Sequence, residues 1–112
     1  MSVNEKFGQE IKELATFSKA LSNPARLAIL QYLSKTKSCI SGDISAYIPL
    51  SRTTVSQHLK VLRDSGLIKG EIDGPRINYC INVKKVEKYL KLREEFFAKV
   101  RLADVDCPEC IE

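Results

Sequence analysis

The chain has 112 residues, of which 44% are hydrophobic and 29% charged, with no Trp. That is the composition of one globular domain rather than of a disordered segment. A core of this size leaves little room for a deep substrate cavity, so large enzymes are excluded and small ones disfavoured. No apolar run nears the ~20 residues of a membrane span, and no apolar leader opens the sequence, so a cytoplasmic location away from membranes is expected. The net charge of +4 is unevenly spread: residues 1–50 hold six basic and four acidic side chains, residues 51–101 twelve and six, and residues 102–112 four acids and no base. A basic excess in one stretch is the footprint of a polyanion, a signature shared with a merely solvated helix face.

In chain order, Phe7, Ile11, Leu14 and Ala15, then Ser18 and Leu21, repeat at helical spacing and predict a first helix over 4–21. Asn23-Pro24 pairs a good N-cap with the residue best tolerated at the first helical position, so a second helix starts there and buries Leu27, Leu30 and Leu33, with Ile29 beside them. After a polar break at 34–38, a short helix over 40–47 is expected, with Ile44 and Ile48 inward and Pro49 ending it. Ser51 is the next N-cap and Gly66 the matching left-handed terminator. Between them, 52–65 forms a helix that buries Val55, Leu59 and Leu62. Alternating residues predict strands over 67–72 and 77–83, joined by Asp73-Gly74-Pro75-Arg76, which is turn chemistry. A long helix over 84–102 follows, with Val86, Leu90, Phe97 and Val100 along one side and Tyr89, Leu92 and Phe96 nearby.

The order is therefore α-α-α-α-β-β-α, mainly helical with a small β-hairpin. A short helix, a tight turn and a helix that is polar on its outer face make a helix-turn-helix, and the hairpin after it makes a wing. At 100° per residue, Thr53, Gln57 and Lys60 point away from Val55, Leu59 and Leu62, with Thr54 and Ser56 flanking them. These are DNA-reading residue types: Gln pairs with adenine in bidentate fashion, Thr meets a thymine methyl or a phosphate, and Lys meets guanine or phosphate. The candidate DNA-binding set is Ser51, Arg52, Thr53, Thr54, Ser56, Gln57 and Lys60 on the helix, with Lys69 and Arg76 on the wing. Ser51 is first of all a cap. His58 lies beside the apolar stripe and reads as a packed, hydrogen-bonded imidazole, and Arg63 as a solvated side chain.

The stretches Leu21-Ser-Asn-Pro-Ala-Arg-Leu-Ala-Ile-Leu30 and Leu50-Ser-Arg-Thr-Thr-Val-Ser-Gln-His-Leu-Lys-Val-Leu-Arg-Asp-Ser-Gly-Leu-Ile68 resemble the ArsR family of bacterial winged-helix repressors. The resemblance spans about residues 10 to 100. It implies a homodimer built on the first and last helices and a double-stranded DNA operator of two-fold symmetry. It also implies repression relieved by a metal or a thiol-directed signal. On that basis residues 1–102 form a winged helix-turn-helix DNA-binding and dimerisation domain, and 103–112 an acidic, cysteine-bearing tail.

Four cysteines are present: Cys39, Cys80, Cys107 and Cys110. With no leader, a reducing compartment and free thiols are expected rather than a disulfide framework. Cys107-Pro-Glu-Cys110 is a C-x-x-C pair, half of a four-ligand zinc site, whereas three thiolates satisfy arsenite. Cys39 is the natural third ligand, so the candidate metal set is Cys39, Cys107 and Cys110. Family sensors of arsenic and cadmium carry a C-x-C-like pair where this chain has Cys39-Ile40-Ser41, with Ser in the second place. The family's other site, of acids and histidines on the last helix, lacks its histidines here. Cys80 reads as half-buried filler.

The expected function is a sequence-specific repressor that needs no cofactor to bind DNA and is released by arsenite or another thiophilic ion. Two alternatives stand beside it: a redox or sulfide sensor using a bridge from Cys39 to a tail cysteine, and a zinc-clipped protein-interaction module. An enzyme is disfavoured, since no nucleophile-and-base pair and no phosphate loop are visible.

Overall fold

The computed structural model describes residues 7–36, 40–41, 47–73 and 76–103. Its elements are α1 (Gln9–Ala20), α2 (Pro24–Thr36), β1 (Ile40–Ser41), α3 (Arg52–Ser65), β2 (Ile68–Asp73), β3 (Arg76–Ile81) and α4 (Val83–Arg101). The fold is the expected one, mainly helical with a β-hairpin wing after α3. One element differs in kind. The short helix expected from residue 40 gives way at Ile40–Ser41 to a strand that pairs antiparallel with β3, so the hairpin becomes a three-stranded sheet of order β1-β3-β2. Residues 42–46 of that expected helix, including Ile44, lie outside the described residues, and Tyr47 stands in a turn.

Local chemistry sets the helix ends. Asn23 Oδ1 accepts from the backbone N–H of Ala25 at 2.8 Å, and Pro24 opens α2 as its first residue. The Ser51 side chain accepts from the N–H of Thr54 at 3.2 Å at the start of α3. Gly66 ends that helix at φ 89°, a left-handed conformation that costs a side-chain-bearing residue about 1 kcal/mol. α1 starts at Gln9, after Gly8 in extended backbone, so Phe7 precedes the helix rather than opening its stripe.

The core is Phe17, Ala20, Ile29, Leu33, Ile48, Val55, Leu59, Leu62, Leu67, Ile68 and Tyr79. Among the described residues no polar or charged side chain other than the Tyr79 phenol is buried with it. Val55, Leu59 and Leu62 are inside as expected and contribute about 1.5–3 kcal/mol each. Two stripes are shifted in phase. On α1, Phe17 and Ala20 face the core while Ile11 and Ala15 are exposed, and on α2, Ile29 and Leu33 are buried while Leu27 is half exposed.

On α4 the inward residues are Val86, Tyr89 and Leu92, whereas Leu90, Phe97 and Val100 remain exposed. α4 is held across α1 by a Lys88–Glu13 ion pair of 2.7 Å and by an edge-on contact of Phe17 with Tyr89. The Lys88 hydrogen bond, aided by one from Gln9, holds the Glu13 carboxyl below the usual carboxylate range.

The wing is anchored by a close approach. Gly70 lies opposite Tyr79 in the β2–β3 register, and a Cβ there would sit 2.1 Å from the Asn78 carbonyl oxygen and 2.6 Å from the Tyr79 ring. Only glycine lets that ring lie across the strand and into the core. Burial pushes the Tyr79 phenol up, so it stays neutral at physiological pH.

Candidate nucleic-acid interface

α3 presents two opposite faces because its apolar residues recur at i, i+4 and i+7. One is sunk into the core. On the other, Thr53, Ser56, Gln57 and Lys60 are all exposed. Arg52 is exposed at the first helical position. Ser51 and Thr54 form a local unit: the Ser51 hydroxyl donates to Thr54 Oγ1 at 2.9 Å while accepting the Thr54 N–H. Their first structural role is to hold the first turn of α3, which leaves that turn's remaining N–H groups pointing outward, the arrangement that suits a phosphate.

Arg26, which the sequence reading left without a role, organises the approach to this helix. Its Nε donates to the Ala20 carbonyl at 2.6 Å and its Nη2 to the Lys19 carbonyl at 3.1 Å, at the C-terminal end of α1. Its Nη1 meets His58 Nδ1 at 3.2 Å. A guanidinium only donates, so Nδ1 accepts and the imidazole hydrogen sits on Nε2. His58 is half-buried and hydrogen-bonded, as expected of a packed histidine. A signal for Arg26 existed in the sequence: a cation in the first turn of a helix opposes the macrodipole, so it is drawn to acceptors elsewhere.

Just before α3, Ile48 is buried and Tyr47, itself exposed, stacks on Tyr32 with ring centroids 4.8 Å apart. Arg63 is half-buried with a long 3.9 Å pairing to its neighbour Asp64, and takes no part in the outward face.

On the wing, Asp73 and Arg76 are the last paired residues, so Arg76 stands at the distal end of the hairpin. Lys69 is exposed but sits next to the base, four residues or about 14 Å from that end. The structure thus brings Arg52, Thr53, Ser56, Gln57 and Lys60 together on one helix face, and separates Lys69 from Arg76 along the strand. Gly74 and Pro75 of the turn lie outside the described residues.

The cysteines divide. Cys39, Cys107 and Cys110, the candidate metal set, lie outside the described residues, as does most of the 103–112 tail. Cys80 is half-buried on β3, as expected of a filler, but it is disulfide-bonded, which departs from the expectation of free thiols.

A polar-faced helix seated on a small helical core and followed by a two-stranded hairpin defines a winged helix-turn-helix DNA-binding regulator. The sequence profile described as "Bacterial regulatory protein, arsR family" matches residues 23–69. The HTH-type transcriptional regulator YgaV of Escherichia coli K12 is 39% identical over 75 residues, covering 67% of this chain and 76% of YgaV. The arsenical resistance operon repressor of Staphylococcus xylosus is 38% identical over 71 residues, covering 63% of this chain and 67% of that protein. Among solved structures, an ArsR-like transcriptional regulator from Rhodococcus sp. RHA1 superposes with a TM-score of 0.66 at 28% identity, covering 83% of this chain and 89% of that one. The chain belongs to the ArsR family of bacterial regulatory proteins. It is a DNA-binding transcriptional regulator and not an enzyme, which sets the protein-interaction reading aside. Among the described residues no helix is long and apolar enough to cross a membrane.

Proposed function

We propose that this chain is a cytoplasmic transcriptional repressor that binds a two-fold operator as a homodimer and is released by a thiophilic metalloid or metal, with arsenite as the first ligand. The observation that carries the DNA half is the face of α3: Arg52, Thr53, Ser56, Gln57 and Lys60 are exposed together, on a helix whose other face is locked in the core. Gln57 reads a base edge, Thr53 and Ser56 meet bases or phosphates, and Arg52, Lys60 and the wing's Arg76 neutralise phosphates. Dimerisation through α1 and α4 is supported by an open groove of about 530 Å³ between them, lined by Ile11, Leu14, Leu92, Phe96 and Val100. Phe7, Leu90 and Phe97 add further exposed apolar surface on these two elements and the residues before them. Apolar surface of this kind on a small regulator calls for a partner, and a second copy is the partner the family resemblance implies.

The inducer half rests on residue chemistry. Cys107, Cys110 and Cys39 supply the three thiolates arsenite takes, and a relative 38% identical is named as an arsenical resistance operon repressor. Release follows by linkage: a ligand that binds the DNA-incompetent form more tightly lowers DNA affinity by the same factor, ~5–150-fold for a coupling of ~1–3 kcal/mol.

The test begins by selecting duplexes from a random-sequence pool with the reduced chain. The selected duplex is then titrated with arsenite, and separately with Zn²⁺ and Cd²⁺, using the wild type and a Cys107→Ser, Cys110→Ser variant. The expected result is an enriched palindrome whose affinity falls with arsenite in the wild type alone. Gln57→Ala is expected to flatten its sequence preference. No enrichment overturns the repressor reading, and an enriched site indifferent to every ion overturns the inducer alone.

A further inference from the structure

His58 stands on a flank of α3, beside the outward face. Its side chain leaves the helix ~100° round from that of Gln57. A helix in a major groove ~12 Å wide has base edges in front of it and a phosphate strand along each flank. Donors on a flank therefore meet backbone oxygens. Thr54, one turn before His58, shares this flank.

The state of the ring is set from behind. Arg26 Nη1 donates to Nδ1 at 3.2 Å, so the imidazole hydrogen is on Nε2. Arg26 turns away only at a loss, because its Nε and Nη2 hold the Ala20 and Lys19 carbonyls at 2.6 and 3.1 Å. These bonds fix the guanidinium, and through it the tautomer and tilt of the imidazole. Among the described residues Nε2 has no hydrogen-bond partner, and among them no side-chain nitrogen or oxygen is both buried and unpartnered. The Nε2–H therefore opens onto solvent, although the residue as a whole is half-buried. A cation bound at Nδ1 draws charge through the ring and strengthens this donor. A fixed, open N–H with positive charge behind it suits an anionic oxygen.

We infer that His58 donates its Nε2–H to a phosphate oxygen of the bound duplex, and that Arg26 is the positioning residue that makes this donor available. The contact requires, as proposed above, that α3 enter the groove. The ring brings no formal charge to the phosphate. It strengthens binding at every sequence without releasing a counterion, whereas Lys60 or Arg76 on a phosphate does both.

The experiment uses the full chain, the duplex selected by the wild type, and copies of that duplex in which one phosphate at a time is a neutral methylphosphonate. His58→Leu is expected to weaken binding about tenfold, the scale of one hydrogen bond to a charged group, with sequence preference and salt slope unchanged. His58→Gln, whose amide N–H reaches where Nε2–H stood, is expected to restore most of it. One phosphate per half-site is expected to matter to the wild type and to His58→Gln but not to His58→Leu. Arg26→Met is expected to share that insensitivity. Nitrogen-15 NMR of the free Arg26→Met chain is expected to show the imidazole hydrogen divided between Nδ1 and Nε2, where the wild type holds it on Nε2. Binding by His58→Leu at wild-type strength overturns the inference, and so does a loss that simply adds to that of every methylphosphonate. If a variant fails to fold, the wild type decides alone. Its Nε2–H resonance shifts downfield on the intact duplex and not on the one with the methylphosphonate at that site, and an unmoved resonance overturns the contact. A wild type that binds no duplex overturns the groove reading as well, which keeps the two failures apart.

Discussion

Gly70→Ala tests the anchoring of the wing. The added Cβ would lie 2.1 Å from the Asn78 carbonyl oxygen and 2.6 Å from the Tyr79 ring. Carbon–oxygen contacts between strands settle near ~3.3–3.6 Å, so the overlap exceeds ~1 Å. The first obstacle is backbone of the paired strand, which moves only by giving up ladder hydrogen bonds, and the second is a ring seated in the core. Overpacking costs ~1–3 kcal/mol, and a backbone obstacle places this case at about 2–3 kcal/mol. For a domain of this size that lowers Tm by roughly 10–20 °C. The assay is urea and thermal unfolding at fixed chain concentration, since pairing between copies raises apparent stability. Gly8→Ala is the control, because nothing lies within 4 Å of a Cβ there. A Gly70→Ala variant within about 0.5 kcal/mol of wild type, with an unchanged urea slope, would refute the close-approach reasoning.

Two further expectations separate roles that sequence alone left joined. Ser51→Ala removes the cap of α3 and is expected to cost about 1 kcal/mol, with Ser51→Asn restoring most of it; a Ser51→Asn variant that regains stability but still binds DNA poorly would show a direct contact instead. Glu13 titrates below the ordinary carboxylate value of 4.5, chiefly through its hydrogen bond from Lys88. The stability it contributes is thus present above the unfolded-state pKa and is lost as pH falls through the lower folded-state value. Carbon-13 NMR of the Glu13 carboxyl checks this, and an unshifted midpoint in the wild type, equal to that in Lys88→Met, would contradict it.

What the sequence made legible was what local chemistry decides. α3 was readable in full because its cap at Ser51, its stripe of Val55, Leu59 and Leu62 and its left-handed Gly66 all lie within 16 consecutive residues. The phases of α1 and α4 were harder, since each carries two apolar faces. Phe17 on α1 and Tyr89 on α4 pack inward, while Ile11 and Phe97 remain exposed, so a search for one stripe mixes the two. β1 was missed because two residues gain strand geometry only from Tyr79 and Asn78, nearly forty positions away. The outward face of α3 was legible as a set of residue types. The tie from Arg26 to His58 spans 32 positions and left only the indirect trace of a cation placed against a helix dipole. Gly70 left a trace too, since an isolated glycine within a strand marks a close approach of backbone or ring.

The three bonds of Arg26 bear on how the molecule comes apart. One planar group is shared by the last turn of α1, the first turn of α2 and the middle of α3. Detaching any one of these helices forfeits bonds belonging to another. Their amides therefore exchange with solvent as one cooperative unit, close to the global opening free energy. Beyond the Gly70–Tyr79 crossing the hairpin runs on as a ladder through Glu71–Asn78, Ile72–Ile77 and Asp73–Arg76, and such a ladder at a hairpin's end opens at lower cost than packed helices. In hydrogen-exchange terms the chain is a slow block carrying a fast tip, with the border at Gly70.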